Sequence, residues 1–297
     1  MDLPTVSYVI VTMNRRDELV DCLQSLREQD YPQKQIVVVD NASSDDTVAT
    51  VRSRFPEALL IAQTTNTFAT GGRNRGVAAA SGEICIILDD DARLAHPDAT
   101  RKTIEYFRAD SELGCVSYRI FNAFTGKDDI KSIPRRDKKV VPHDYPCTYM
   151  CAAGFAIRRD VALETGLFWE KLGMYAEEVD LGYRILNRGY KIVFSSSIIV
   201  EHRETPRARP TGRWIYFTTR NRCWIALRSL PWPNVIVATL AWWLLLGVKS
   251  VRERQCGYYL RGVRDALAGA REVAAVRSRL GASALQKLKT LSGRYWS

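Results

Sequence analysis

Short apolar runs alternate with amphipathic stretches over the first two thirds of the chain. Residues 6–12 (VSYVIVT), 36–39 (IVVV, ending at Asp40), 59–62 (LLIA), 84–88 (ICIIL) and 114–120 are brief apolar runs closed by polar or turn-forming residues, which predicts buried strands. Between them, residues 17–28 carry Leu19, Val20, Cys22, Leu23 and Leu26 near helical spacing. Helices are also expected through about Arg54, over 70–80 and over 98–108. This alternation predicts βα units: an α/β fold with a mainly parallel sheet and helices on both faces. Residues 121–144 are polar and irregular, a long connection that suits a lid or an acceptor-binding excursion. An apolar run at 147–157 follows, then helices at 159–165 and 177–188, each closed by glycine. Two short strands, 191–194 and 198–200, lead to Glu201-His202.

Beyond His202 the pattern changes. Residues 203–212 form a basic, proline-broken linker. A basic helix with Trp214, Phe217, Trp224 and Leu227 near helical spacing is expected over 213–230. Pro231-Trp232-Pro233 breaks it. Residues 235–248 carry no charge but are too few for a span of about 20, so they suit an interfacial, re-entrant or core helix. A second arginine-rich helix is expected over 257–280. This predicts two parts, 1–202 and 203–297. Charge sharpens the division: 203–297 hold 18 Lys and Arg against 4 Asp and Glu, leaving 25 against 29 before them. A basic, aromatic region beside uncharged runs points to an anionic membrane surface rather than to nucleic acid. The N-terminus has no signal-peptide pattern. The seven cysteines show no C-x-x-C spacing and mostly sit in apolar runs, which argues against a disulfide framework or zinc site. Together these features predict a cytoplasmic protein, peripheral at the inner face of the cell membrane.

The candidate chemistry lies at strand ends, where open α/β sheets bind ligands. Asp89-Asp90-Asp91 close the 84–88 strand. Three carboxylates there repel one another and resist desolvation, and a divalent cation shared with substrate phosphates relieves both. Thr12 through Asn14 end the first strand and Asp40 ends the second; Asp40 is placed to accept hydrogen bonds from a base or ribose. The Gly71-Gly72-Arg73 segment opens a helix whose N-terminus favours an anion, with Arg73 adding charge. Glu177-Glu178-Val179-Asp180 supply carboxylates for general base work toward a hydroxyl. His202 follows a strand as a possible metal ligand.

These stretches, in order, resemble the inverting family-2 glycosyltransferases of GT-A fold, notably those of bacterial cell-surface glycan and rhamnosyltransferase type. The pieces are VSYVIVTMNR (6–15), VVVDNASSDDT (37–47), GGRNRGVAAASGEICIILDDDA (71–92), CAAGFAIRRD (151–160), EEVDLGYRILNRGYKI (177–192) and EH (201–202). The resemblance implies a GT-A catalytic domain over 1–202 and transfer of a sugar from a nucleotide-sugar donor to a hydroxyl acceptor, lipid-linked or part of a surface glycan. It implies that Thr12, Asn14, Asp40 and Arg73 bind the donor, with Asp89 and Asp90 toward ribose and diphosphate. Asp91, with Asp89 and His202, would hold Mg²⁺ or Mn²⁺. The EEVD segment matches the family's EDVD, which puts the base on Glu178, with Glu177 the alternative. One rival is a nucleotidyltransferase that forms nucleotide sugars, but it needs a glycine-rich basic loop where Thr12-Met13-Asn14-Arg15-Arg16 stand. The other is a non-catalytic membrane-associated binding protein, which leaves the acidic triplet, EEVD and His202 unexplained.

Overall fold

The computed structural model describes residues 3–203 and 211–292. Three arginines of the basic linker, Arg203, Arg207 and Arg209, would suit a lid over a diphosphate or lipid contact; Arg203 pairs with Asp21, and Arg207 and Arg209 lie outside the described residues.

The apolar runs become β1 (Val6–Thr12), β2 (Lys34–Asp40), β3 (Leu59–Ala62) and β4 (Ile84–Asp89), with helices α1 (Arg16–Arg27), α2 (Thr47–Arg54) and α3 (Phe68–Ala79) between them. Then come β5 (Ala92–Leu94), α4 (Ala99–Ala109), β6 (Leu113–Asn122), β7 (Lys127–Asp128), β8 (Tyr145–Pro146), β9 (Gly154–Arg158), α5 (Arg159–Glu164), α6 (Glu177–Asn187) and β10 (Lys191–His202). The main sheet runs β3-β2-β1-β4-β9-β6-β10-β5. Parallel pairing joins β3, β2, β1 and β4, and again β6 and β10. β9 runs antiparallel between β4 and β6.

Residues alternate across the sheet as a period of two requires. On β1, Val6, Tyr8 and Ile10 pack with Leu19, Leu23 and Phe107, on the face covered by α1 and α4. Val9 points to the other face, among Val77, Ile185 and Trp224 from α3, α6 and the C-terminal helices. The two runs expected at 191–194 and 198–200 are one strand. Its pairing with β6 shifts register between Phe194 and Ile199, and the intervening serines read as a gap in the sequence.

The C-terminal part folds as α7 (Thr211–Ser229), α8 (Trp232–Arg252), α9 (Cys256–Ala275) and α10 (Ala282–Ser292). It shares a core with the sheet layer: Trp224, Val273 and Leu288 belong to the same buried cluster as Val9 and Phe155. Polar ties reinforce this packing. The buried Asn221 amide donates to the carbonyls of Leu172, Met174 and Tyr175. Asp180 of α6, fully buried, accepts from Arg184 at 2.7 Å and from Arg228 of α7 at 3.0 Å.

The uncharged run 235–248 lies within the longer α8, which starts after Pro231 and carries Lys249 and Arg252 in its last turn. It is long and apolar enough to cross a membrane by length and composition, the one such helix among the described residues. Only Val235, Ala238, Leu246 and Ser250 of it are buried, so it is not a core helix. Ile236, Leu240, Leu244, Leu245, Val248 and Val251 form an exposed apolar stripe.

Candidate active site

Parallel register gathers the carboxyl ends of β1, β2 and β4. Thr12 lies beside Asp40, and Val11 beside Asp89. The chain turns through Asp90 and Asp91 into β5, which pairs antiparallel with the end of β10 and sets Ala92 opposite His202. That short strand brings a histidine from the far end of the domain onto the acidic triplet. The Arg203 amide then donates to the Asp91 carbonyl at 2.9 Å.

Each member of the triplet has different partners. Asp89 accepts from Arg73 at 2.8 Å. Asp90 accepts from the Thr12 hydroxyl at 2.8 Å and from Arg15 at 2.9 Å. Asp91 accepts from Arg15 at 2.7 Å and meets His202 Nε2 at 3.1 Å. Burial pushes the Asp90 carboxyl up to about 7, against the pull of Arg15. Burial would raise Asp91 too, but His202 and Arg15 outweigh it and hold that carboxyl well below its usual range. One ligand atom from each of Asp89, Asp91 and His202 lies within 4.8 Å of the others. Two hard carboxylates and one imidazole fit Mn²⁺ or Mg²⁺, with positions left for phosphate oxygens.

Asp40 is 1% exposed. Its Oδ2 accepts from the Ser43 amide at 3.0 Å, while Oδ1 is buried with no hydrogen-bond partner. A buried carboxylate oxygen without a donor is costly, and a ligand N–H or O–H would satisfy it. Asn14 lies in the loop after β1. Its side-chain oxygen accepts from the Ser44 amide at 2.7 Å, so it pins the loop after β1 to the loop after β2. Arg73 is buried between two acidic clusters, donating to Glu177 at 2.7 Å as well as to Asp89. The glycines around it have a packing reason: a Cβ on Gly72 or Gly76 would overlap Val11 or Val9, so α3 lies tight on β1. The Thr70 amide at the start of α3 donates to the Gly173 carbonyl at 3.1 Å, so the chain itself uses that helix end.

Arg73 links the triplet to the N-terminus of α6. Tyr175 (φ 64°) and Ala176 (φ 66°) both adopt left-handed backbone just before it. That is uncommon for residues with a side chain and turns the chain sharply into the helix. Glu177 follows, 3% exposed and paired with Arg73. Glu178 has no ion-pair partner among the described residues and lines the cleft. Burial, then the charge of Glu177, push its carboxyl up to about 8. The cleft holds about 1050 Å³, and Asp89–Asp91 and Glu178 all line it. Asp129, Lys131 and Ser132, from the irregular 121–144 segment, line part of it. So do Trp214, Arg222, Trp242 and Lys249 from α7 and α8.

Arg15 is the residue that sequence reasoning passed over. It directly follows the Thr12–Asn14 segment singled out at the end of β1, so proximity to that strand end was the available signal.

Residues 7–166 match the sequence model of Glycosyl transferase family 2, more than half of the chain. The O-antigen chain rhamnosyltransferase RfbN of Salmonella typhimurium is 27% identical over 221 residues, 68% of each chain. The succinoglycan biosynthesis protein ExoO of Rhizobium meliloti is 36% identical over 110 residues, 37% of this chain and 31% of that one. The GalNAc(5)-diNAcBac-PP-undecaprenol β-1,3-glucosyltransferase of Campylobacter jejuni is 32% identical over 96 residues, 31% of each chain. The match thus spans about a third of the length of the last two relatives. Among solved structures, the mannosyltransferase PcManGT from Pyrobaculum calidifontis, in complex with GDP-Man and Mn²⁺, superposes with a TM-score of 0.63 at 21% identity, covering 93% of this chain and 79% of that one. Residues 1–349 of S. aureus TarS give a TM-score of 0.62 at 16% identity, covering 96% and 85%. The architecture is therefore the GT-A-type α/β fold with a helical C-terminal region, and the chain belongs to glycosyl transferase family 2.

Proposed function

We propose that this protein transfers a sugar, with inversion, from a nucleoside diphosphate sugar to a hydroxyl of an acceptor presented at an anionic membrane surface, in the making of a cell-surface glycan. The observation that carries this reading is that Glu178 lines the same cleft as Asp89 and Asp91, the two carboxylates clustered with His202. A carboxyl raised to about 8 is a competent base near neutral pH, because catalytic proton transfer works best when the group's pKa lies near the operating pH. Glu178 is the base of choice over Glu177, which is held by Arg73.

Asp89, Asp91 and His202 would hold Mn²⁺ or Mg²⁺, which neutralises charge on a leaving diphosphate. Asp40 offers its unpartnered Oδ1 to the base or ribose of the donor. Thr12 holds Asp90 in place beside it. The acceptor hydroxyl loses its proton to Glu178, its oxygen attacks the anomeric carbon, and the bond to the diphosphate breaks. One displacement inverts that carbon.

The membrane part rests on the apolar stripe of α8 and the basic balance of residues 203–297. It also agrees with the named Campylobacter relative, whose acceptor is linked to undecaprenol through diphosphate. The reading places the protein at the inner face of the cell membrane. A thermal-shift screen of nucleotides and nucleotide sugars with Mn²⁺ tests the donor half. One nucleotide class raises the melting temperature only with the metal, and Asp91→Ala abolishes that shift. Absence of any metal-dependent nucleotide shift overturns the reading.

A further inference from the structure

Three residues on one face of α3 grip the chain that leads into α6. Thr70, Arg73 and Asn74 are spaced three and four apart, so they share that face. The Thr70 hydroxyl and amide both donate to the Gly173 carbonyl, at 3.2 and 3.1 Å. The Asn74 side chain donates to the Phe168 carbonyl and accepts from the Phe168 amide, each at 2.8 Å. Arg73 is 4% exposed, with its guanidinium 5.5 Å from the centre of the Phe168 ring. One terminal nitrogen donates to Glu177 Oε1 at 2.7 Å. The other donates to Asp89 Oδ1 at 2.8 Å and to the Ala152 carbonyl at 3.4 Å. Gly72 lets α3 press onto Val11 of β1, so the grip has little room to slide.

This arrangement treats two adjacent carboxyls unequally. Glu177 meets Arg73 through Oε1, while its Oε2 is buried without a hydrogen-bond partner. Arg73 is thus its one ion-pair partner among the described residues. Glu178 lines the cleft. Burial and the charge of Glu177 raise its carboxyl, while Arg222 of α7 and Arg73 lower it. Tyr149 and Cys151, from the segment before β9, also feel its charge. Burial keeps both of these neutral near pH 7, pushing the Cys151 thiol up to about 12 and the Tyr149 hydroxyl up as well. Two neighbouring carboxyls in such a turn, with no cation beside either, share a proton, because both cannot ionise cheaply. A cation paired with one of them removes that symmetry.

We propose that Arg73 is a positioning residue for the base: pinned on α3, it takes Glu177 as its partner and leaves the exchangeable proton of the turn to Glu178 alone. The assignment rests on the transferase reading above, in which Glu178 is the base, and specifies how one of two adjacent carboxyls is chosen. Holding Glu177 also holds the first turn of α6, from which Glu178 reaches the cleft. The same guanidinium holds Asp89, so the acidic triplet and the base turn share one anchor.

The test follows the proton itself, on the full chain without metal, donor or acceptor. Glutamate carries carbon-13 at its side-chain carboxyl, EDTA is present, and nuclear magnetic resonance reads each carboxyl from about pH 5 to about pH 10. The two signals are identified by their loss in Glu177→Gln and Glu178→Gln. In the parent, Glu178 alone of the two should titrate near 8. Glu177→Gln should lower that midpoint by about one pH unit or more, since a like charge is gone and Arg73 remains. In Arg73→Met both signals should move together, with the last proton leaving about one pH unit or more above the parent midpoint. Arg73→Lys keeps the charge and should return the titration to Glu178. A role in packing alone would move none of these midpoints in opposite directions. Glu178 titrating alone at the parent midpoint in Arg73→Met overturns the proposal. So does a Glu177→Gln midpoint that stays or rises, or a parent in which both signals titrate together. If Arg73→Met fails to fold, Glu177→Gln decides the matter alone. None of these measurements needs transfer to occur, so failure of the transferase reading shows separately, in the nucleotide screen with Mn²⁺.

Discussion

Glu177 and Glu178 are neighbours in sequence and opposites in circumstance. Arg73 pairs with one, while the other lines the cleft with its carboxyl raised by burial and by the charge of its neighbour. Glu178→Gln should lower the rate of transfer by about 10²–10⁴ with donor affinity retained, measured by steady-state kinetics beside nucleotide titration. The rate should rise with pH up to about 8 and level off above it, because the base must be unprotonated. The same group acts on stability with the opposite sense. Its folded pKa lies above the ordinary 4.5, so the folded protein holds a proton the unfolded chain has lost between those values, and stability falls as pH rises through that window. Glu178→Gln should therefore flatten the fall in melting temperature between pH 5 and pH 9 that the parent shows. Arg15 yields a separate prediction. It is paired with Asp90 and Asp91, so Arg15→Ala should lower the melting temperature without metal and tighten Mn²⁺ binding, read by titration of the ion's magnetic resonance signal. The acidic triplet, Asp40 and His202 were legible as polar residues at the ends of apolar runs. Which of Glu177 and Glu178 is paired was not, because Arg73 lies far away in sequence and decides it through space.

At the scale of elements, the alternating pattern revealed β1 through β4 and most helices, since β1, β2 and β4 bury apolar runs and the edge strand β3 carries one although it is only partly buried. It did not reveal β5, three residues long, although β5 is what delivers His202 to the triplet. Nor did it show that β9 runs antiparallel, because direction leaves no mark on an apolar run. The helix α6 is held at its start by strained backbone and in its first turn by Asp180. Asp180→Ala should cost about 3–5 kcal/mol in denaturant unfolding, since it strands Arg184 and Arg228 together. Such a loss would also mark α6 and α7 as one cooperative unit.

Across the whole molecule, an acidic α/β body meets a basic helical region along a shared core, and one face of that region remains apolar. Composition made the charge division legible at the start. The sequence did not show how completely α7 and α10 enter the core, because the same aromatic and basic residues suit a free amphipathic helix. Leu240 and Leu244 are 59% and 70% exposed, so charging both should spare the fold. Leu240→Glu with Leu244→Glu should weaken binding to anionic vesicles about tenfold or more, in a flotation assay, while donor binding stays unchanged. The contact between Asp180 and Arg228 carries a lesson for anyone rebuilding this protein. The residue that α7 grips sits two positions after Glu178 on the same helical turn. Anchoring and chemistry are therefore not interchangeable modules here, and a chimaera that swaps the tail must keep α7 with the body.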